Sequence, residues 1–342
     1  MSRLARALAK VAKWVVIGIA SFFILVIIGG NIFRLIGRAQ LESDFDPAGQ
    51  LISIDTHRMH LNCVGAGQPT VVLEAPGFTH SVIWEPVLRS IAPLTRVCAY
   101  DRSGMGWSER GPSTPTADSR LAELTLLLEE SAESPPYLLV GASMGASISW
   151  RYAQSHLDDV VGLVTVDGMP RDFANLKSLG MNTIDGPVLS FLLLGIERLG
   201  ITPLLYGPPP PAEELSPTQS ALEERERFLS TGFFGELLSI DSIVRSATTM
   251  GSLDDLPLIV IVRGQPGTFF DPLGERKDEA EALWPGMQAE MADLSAYSEL
   301  RVAERSDHGI ALRQPEIVVA AIRDLVAIYR GGGRLPSARR PF

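Results

Sequence analysis

The sequence predicts an α/β fold in which eight strands form a mostly parallel sheet with helices on both faces. Short apolar or alternating runs recur along the chain, and segments with helical apolar spacing separate most of them. A third observation adds to this prediction, because a long uncharged stretch lies near the N-terminus. The expected molecule is therefore an α/β domain with an N-terminal transmembrane helix.

The first two predicted strands are close enough in sequence to form a hairpin. The last predicted helix starts at Pro315, which suits the first turn of a helix. The predicted strands cover 51–55, 58–64, 70–75, 95–100, 137–142, 160–166, 257–263 and 299–303, and the predicted helices cover 80–92, 117–131, 144–156, 276–294 and 315–330.

The stretch from Gly168 to Leu253 is too long for an ordinary connection between strands. It contains apolar pieces with helical spacing, and the four prolines at 208–211 predict a stiff spacer between them. Because a long insertion in a compact domain is usually a lid, we predict a helical cap inserted after strand 6. The predicted organisation is a membrane anchor with a basic flank at 1–38, an α/β core at 39–167 and 254–330, a cap at 168–253 and a flexible tail at 331–342.

From Trp14 to Phe33 the chain has 20 residues without a charge, and a helix of that length spans about 30 Å, the thickness of a bilayer core. More basic residues precede this run than follow it, which favours a cytoplasmic N-terminus and a body outside the cytoplasm. We therefore expect a single-pass membrane protein. The alternative is a secreted protein with a cleaved signal peptide, although the apolar region of such a peptide is usually only about 7–15 residues long.

Composition argues against two classes of protein. Hydrophobic residues make up 46% of the 342 residues and charged residues 20%, which argues against a disordered chain. The net charge of −10 argues against a nucleic-acid partner.

The segment Gly141-Ala142-Ser143-Met144-Gly145 lies between an apolar run and a helix-compatible segment. It predicts a strand, a sharp turn and a helix, with the serine at the apex. Small residues two positions before and after the serine are what this turn requires, because larger side chains would clash with the neighbouring strand or helix. Ser143 is therefore predicted to be strained and exposed to a cleft.

A serine hydroxyl is a poor nucleophile at neutral pH unless a base lies within hydrogen-bond distance. Of the five histidines, His308 lies in a loop between the last predicted strand and the last predicted helix, where α/β sheets place functional loops. A nucleophilic serine followed late in the chain by a histidine is the order expected for catalysis. Surface positions are expected for His57, His60 and His156.

Two further segments complete a resemblance. Residues 101–108 follow a strand and match the pattern Asp-Arg-x-Gly-x-Gly-x-Ser, and residues 71–78 look like a strand and an oxyanion loop. With the turn at Ser143 and the loop at His308, the chain resembles the α/β-hydrolase superfamily over about residues 50 to 330, in its capped branch of lipase-, esterase- and prolyl-aminopeptidase-like serine hydrolases. The frequent His-Gly pair of that family is Pro76-Gly77 here.

This resemblance implies roles for particular residues. Ser143 would be the nucleophile, His308 the general base, and the backbone N–H groups of Phe78 and Met144 the oxyanion hole. No metal or organic cofactor is implied.

The acid that orients the histidine is less obvious. The family's usual Gly-x-x-Asp turn after the next-to-last strand is absent, since the chain reads Arg263-Gly264-Gln265-Pro266 there. Two replacements are open: Asp167, at the end of predicted strand 160–166, and Asp271, a few residues beyond Gly264. Asp167 is favoured, because some members of the family place the acid after that earlier strand.

The chain has two cysteines, Cys63 and Cys98. Buried free thiols are the usual state of such residues. A disulfide is the alternative, because the resemblance makes their strands neighbours and the body is expected outside the cytoplasm.

The sequence thus predicts a membrane-anchored serine hydrolase that cleaves an ester or other acyl bond in a small, apolar substrate. A serine at the turn argues against epoxide hydrolases and haloalkane dehalogenases, whose nucleophile is a carboxylate. The alternatives are a catalytically inactive binding module of the same fold, or a peptidase or acyltransferase.

Overall fold

The computed structural model describes residues 3–44, 48–181, 187–200 and 232–335. Eight strands form one sheet in the order β1-β2-β4-β3-β5-β6-β7-β8. Strands β1 and β2 form an antiparallel hairpin, β2 is antiparallel to β4, and the other neighbours are parallel. The predicted eight-stranded, mostly parallel sheet is confirmed. The strands are β1 (Gln50–Ile54), β2 (His57–Val64), β3 (Thr70–Glu74), β4 (Val97–Tyr100), β5 (Tyr137–Ala142), β6 (Val160–Val166), β7 (Leu258–Arg263) and β8 (Ser298–Ala303).

Helices cover both faces of this sheet. Helices α2 and α9 pack on one face, while α3, α4, α6 and α7 pack on the other. The central strands are buried at every position of β3, β5 and β7, as expected for parallel strands covered on both sides. The helices are α1 (Arg3–Asp44), α2 (Glu85–Ile91), α3 (Ala117–Glu130), α4 (Met144–Ser155), α5 (Pro187–Arg198), α6 (Phe233–Ala247), α7 (Lys277–Ala292), α8 (Ile310–Arg313) and α9 (Pro315–Gly331).

The two cysteines form a disulfide. Cys63 of β2 lies directly opposite Cys98 of β4 in the antiparallel pair, and their sulfur atoms are bonded. The structure therefore contains the disulfide alternative rather than free thiols.

The predicted N-terminal helix is longer than the uncharged run alone. Helix α1 extends to Asp44, and its portion Lys10–Gln40 is long and apolar enough to cross a membrane, as a span or as a signal sequence. The helix continues beyond Phe33 because residues 34–44 contain no proline and only one glycine, so few residues there disfavour a helix.

The segment predicted as a cap contains helical pieces at Arg171–Leu179, α5 and α6. Parts of that prediction, at 182–186 and 201–231, lie outside the described residues, as does the predicted tail beyond residue 335. The existence of a separate cap domain therefore stays a prediction.

The edge of the sheet where the parallel strands end is the place where a functional site is expected. Strands β5, β6, β7 and β8 present their carboxyl ends at this edge.

Candidate active site

Ser143 occupies a strained turn between β5 and α4, with φ of 51° and ψ of −120°. A Cβ atom at Gly141 would lie 2.6 Å from Ala146 Cα, and one at Gly145 would lie 2.5 Å from Ala75 O. Both contacts are with backbone atoms that cannot move aside, so glycine is required on each side of the serine. Such strain at a partly buried polar residue is typical of functional sites.

The structure brings Ser143, His308 and Asp167 together. His308 Nε2 lies 2.9 Å from Ser143 Oγ, and His308 Nδ1 lies 2.6 Å from Asp167 Oδ2. Because an ionised carboxylate accepts hydrogen bonds only, these partners assign the proton to Nδ1 and leave Nε2 free to accept the serine proton. Three residues separated by 141 and 165 positions along the chain thus form one hydrogen-bonded array.

Asp167 is fully buried at the end of β6 and has φ of 44°. Its Oδ1 accepts hydrogen bonds from Trp284 Nε1 at 2.7 Å and from the backbone N–H of Arg263 at 3.1 Å. Its Oδ2 accepts a further bond from the Arg263 guanidinium at 2.8 Å. Burial alone would raise the pKa of Asp167, but its hydrogen bond to His308 and the charges of His308 and Arg263 hold that pKa below the ordinary value.

Asp271, the other candidate acid, has a different environment. Its carboxylate is exposed and lies 2.6 Å from Lys277 Nζ, in the short helix that follows β7. Of the two aspartates, Asp167 is the one in hydrogen-bond contact with His308.

Phe78 follows Gly77 in the loop after β3, and the side chain of Met144 lies close to Gly77. Phe78 has φ of 62°, and a Cβ atom at Gly77 would be only 3.5 Å from Met144 Sδ, so the loop after β3 passes close to the start of α4. Arg102 holds this loop by donating hydrogen bonds to Ala75 O at 2.6 Å and to Pro76 O at 2.7 Å. The replacement of the family's histidine by Pro76 leaves the backbone N–H of Phe78 at the same place in the sequence.

Aromatic side chains that sequence analysis did not single out line the array. The ring of Phe269 lies 4.4 Å from that of His308, and Phe233 of α6 lies 5.2 Å from Phe78. The adjacent aromatic residues at 269–270 and at 233–234 were the only sequence signal for this lining. Neither pair is close in sequence to a recognised motif. These rings give the site an apolar wall.

One expectation about the histidines is wrong. His60 is buried rather than on the surface, and its Nδ1 lies 2.9 Å from Asp101 Oδ2. The pairing of β2 with β4 places this histidine beside the Asp-Arg motif, a long-range contact that the hairpin position could not reveal.

Within the described ranges, one group of three side chains places possible metal-ligand atoms close together: Cys63, Cys98 and Glu133. Its two sulfur atoms are bonded to each other, so they offer no thiolate ligands.

A mostly parallel sheet, with a serine on a strained turn after β5 and a histidine after the last strand, defines a hydrolase of the α/β class. The model of the alpha/beta hydrolase family matches residues 71–321, and the chain belongs to that family. The predicted superfamily is thus confirmed.

Known proteins and solved structures are similar to most of the chain. The chain is 26% identical over 261 residues to YqjL, an uncharacterised protein of Bacillus subtilis (strain 168), covering 76% of this chain and 85% of that protein. Among solved structures, a thermophilic esterase from Thermogutta terrifontis matches 81% of this chain and 97% of its own, with 18% identity and a TM-score of 0.57. A laboratory-evolved variant of potato epoxide hydrolase matches 81% and 98%, with 18% identity and a TM-score of 0.59. These structural likenesses show the fold alone.

Proposed function

We propose that this hydrolase is a membrane-anchored serine hydrolase, which cleaves an ester or other acyl bond through an acyl-enzyme on Ser143. The observation that carries the proposal is the hydrogen-bonded array from Ser143 through His308 to Asp167. Each member has the partner that its role requires: a base beside the nucleophile and a buried acid beside the base.

In the first half of the reaction, His308 Nε2 takes the Ser143 proton as Oγ attacks the acyl carbon. The developing oxyanion accepts hydrogen bonds from the backbone N–H groups of Phe78 and Met144. His308 then gives its proton to the leaving group, and the bond between the acyl carbon and that group breaks.

In the second half, water loses a proton to His308 and attacks the acyl-enzyme, and the proton returns to Ser143 Oγ as the acid product leaves. Asp167 keeps Nδ1 of His308 protonated and stabilises the imidazolium formed in both halves. In this cycle the transferred proton is held in turn by Ser143, His308, the leaving group and water, so no further protein group is needed.

Both an esterase and an epoxide hydrolase have this fold, so the fold does not decide the reaction. The residue at the turn does favour one class. A serine hydroxyl with a histidine at 2.9 Å suits acyl transfer, whereas epoxide hydrolases use a carboxylate there.

Membrane anchoring rests on α1, whose candidate span includes the uncharged run Trp14–Phe33. The basic residues before this run favour a body outside the cytoplasm. The disulfide between Cys63 and Cys98 supports the same location, because disulfides persist in oxidising compartments.

A fluorophosphonate probe tests the proposed chemistry, because it reacts covalently with activated serines. We expect labelling of the wild-type chain, and loss of that labelling in Ser143→Ala. Ser147→Ala is the matched control, since Ser147 is a buried serine on α4, the helix that follows Ser143, and it should keep the label. A folded wild-type chain that stays unlabelled would instead support a binding module.

A further inference from the structure

Helix α5 presents apolar side chains to its surroundings rather than to the core. Phe191 is 77% exposed and Val188 is 72% exposed, and Leu189 and Leu192 are also exposed. The sequence of α5 contains no charged residue before Glu197. A continuous exposed patch of this kind usually marks a surface that is covered in the working protein.

The end of α5 contacts the N-terminal helix. Asn31 Nδ2 donates a hydrogen bond to Leu199 O at 2.6 Å, just after the last residue of α5. Gly200 has φ of +72°, and a Cβ atom there would lie 2.6 Å from the Asn31 side chain. The chain leaving α5 is therefore in close contact with α1.

This contact lies within the uncharged run of α1. Asn31 precedes Arg34, the first charge after that run, by three residues, which is about 4.5 Å along the helix axis. The less exposed positions of α1 also begin inside the run and recur every three or four residues on one face: Val26, Ile27, Gly30, Asn31, Arg34, Gly37 and Arg38. If the run crosses a bilayer, the contact between this face of α1 and the rest of the protein lies at the boundary of the bilayer that faces away from the cytoplasm.

We propose that α5 is a second membrane-contacting element, whose apolar face enters the outer leaflet beside α1. That face consists of Val188, Leu189, Phe191 and Leu192. Its chemistry fits a lipid surface, because a helix that lies in the membrane interface buries its apolar face among acyl chains. The proposal rests on the proposed anchoring by α1, and it identifies the substrate class as acyl esters that reside in the bilayer.

A short structural connection joins this face to the candidate active site. Glu197 of α5 accepts a hydrogen bond from the backbone N–H of Phe234 at 2.8 Å, at the start of α6. The neighbouring Phe233 packs against Phe78, whose N–H is assigned to the oxyanion hole. These contacts connect α5, through the start of α6, to the loop that carries Phe78.

Fluorescence quenching by nitroxide-labelled lipids tests the position of α5 in the full-length protein. An environment-sensitive dye is attached to Phe191→Cys, Phe22→Cys or Leu283→Cys in phosphatidylcholine vesicles; the native cysteines are bonded to each other. Phe22 reports on the anchor, and Leu283 is the matched control, since it is an exposed apolar residue on α7. We expect quenching at Phe191 and Phe22 but not at Leu283.

The three positions separate the two hypotheses. Quenching at Phe22 without quenching at Phe191 overturns the role of α5 while the anchor stands. No quenching at Phe22 shows that the anchoring itself is wrong. Equal quenching at Phe191 and Leu283 also overturns the proposal, because it would reflect non-specific adsorption.

Hydrolysis provides a second readout. The combined substitution Val188→Ser, Phe191→Ser and Leu192→Ser should lower hydrolysis of a long-chain ester embedded in vesicles about tenfold, because membrane contact scales with buried apolar area. Hydrolysis of a soluble short-chain ester and fluorophosphonate labelling should not change, and Leu283→Ser should affect neither substrate. Unchanged hydrolysis of the embedded ester, or an equal fall for both esters, would contradict the role of α5.

Discussion

Two buried arginines lie near the candidate active site in different surroundings, and each bridges two carboxylates. Arg263 pairs with Asp167 at 2.8 Å and with Glu281 at 2.8 Å. Arg102 pairs with Glu74 and Glu236. The first arginine contacts the carboxylate that binds His308, whereas the second contacts no member of the proposed catalytic array and instead donates hydrogen bonds to backbone carbonyls of the loop that follows β3.

The cluster around Arg102 joins three parts of the chain. Glu236 lies on α6, in the segment predicted as a cap, and it also accepts a hydrogen bond from Arg120 of α3 at 2.7 Å. Burial raises the pKa of Glu74 to about 7 despite the opposing charge of Arg102, and the repulsion from Glu236 adds to the increase. Burial also works on Glu236, but Arg102 and Arg120 hold the pKa of that carboxyl below its ordinary value.

The comparison teaches that a buried arginine can serve a site in two ways. Arg263 acts on charge, since it contacts the same Asp167 oxygen as His308. Arg102 acts on position, since it holds the loop that carries Phe78 against α6. Replacing each arginine should therefore change different measurements.

The largest expected effect tests whether Asp167 belongs to the array beside Arg263. Asp167→Asn should lower kcat/KM about 10⁴-fold, because the amide favours the wrong tautomer of the histidine. The matched control is Asp271→Asn, which replaces the exposed partner of Lys277 and should leave kcat/KM unchanged. Esterase kinetics on both variants check this prediction, and a large loss in Asp271→Asn alone would transfer the role to that residue.

Sequence reasoning favoured Asp167 over Asp271 because some members of the resembling family place the acid after the earlier strand, and the predicted strands locate that position. Glycines flank Ser143, and both Ser143 and Asp167 follow strands that were predicted from their apolar runs, so parallel pairing of β5 with β6 brings their carboxyl ends to one edge. Their catalytic roles stay predictions until they are tested.

The supporting groups could not be predicted in the same way. Arg263 was visible only as the absence of the expected acid, and Trp284 donates to Asp167 across 117 residues. Glu236 lies in a segment whose pattern predicted only helix, so its ion pair with Arg102, 134 residues away, had no sequence signal. Such contacts depend on how helices pack over the sheet, and periodicity does not specify this.

The next effect should distinguish Arg102 as a residue that acts on position. Arg102→Met leaves Glu74 and Glu236 buried without their shared cation, so the free energy of unfolding should fall by about 3–5 kcal/mol. Arg89→Met, which removes an exposed arginine paired with Glu85, should cost less than about 1 kcal/mol. Chemical unfolding in mild detergent, followed by tryptophan fluorescence, measures both. Equal stability of the two variants would contradict the importance of the buried cluster.

Glu74 gives the Arg102 cluster a pH dependence. Its pKa in the folded protein, about 7, is above the unfolded value of 4.5, so the folded state holds the proton more tightly between those values. The free energy of unfolding should therefore fall as pH rises from 4.5 to 7, by about 2–3 kcal/mol in total. Glu74→Gln cannot ionise and should lack this component. The free energy of unfolding is measured for both proteins across that pH range. An equal pH dependence in wild type and variant would show that Glu74 does not titrate there.

The smallest effect concerns Arg263 and tests its action through charge. Arg263→Met removes a positive charge beside Asp167, which makes the protonated imidazole of His308 more favourable. The acidic limb of the kcat/KM profile should therefore move to higher pH, by about one unit.

Glu281→Gln removes a negative charge from the far side of the same arginine, so it should move the acidic limb in the opposite direction and by less than one unit. A purely structural role for Arg263 would lower kcat without moving the limb, and it gives no reason for opposite signs in the two variants. Arg102→Met should not move the acidic limb of the kcat/KM profile, measured on the folded protein, because Arg102 contacts neither His308 nor Asp167. Opposite shifts of the acidic limb in Arg263→Met and Glu281→Gln, with no shift in Arg102→Met, would establish that the two buried arginines act by different means.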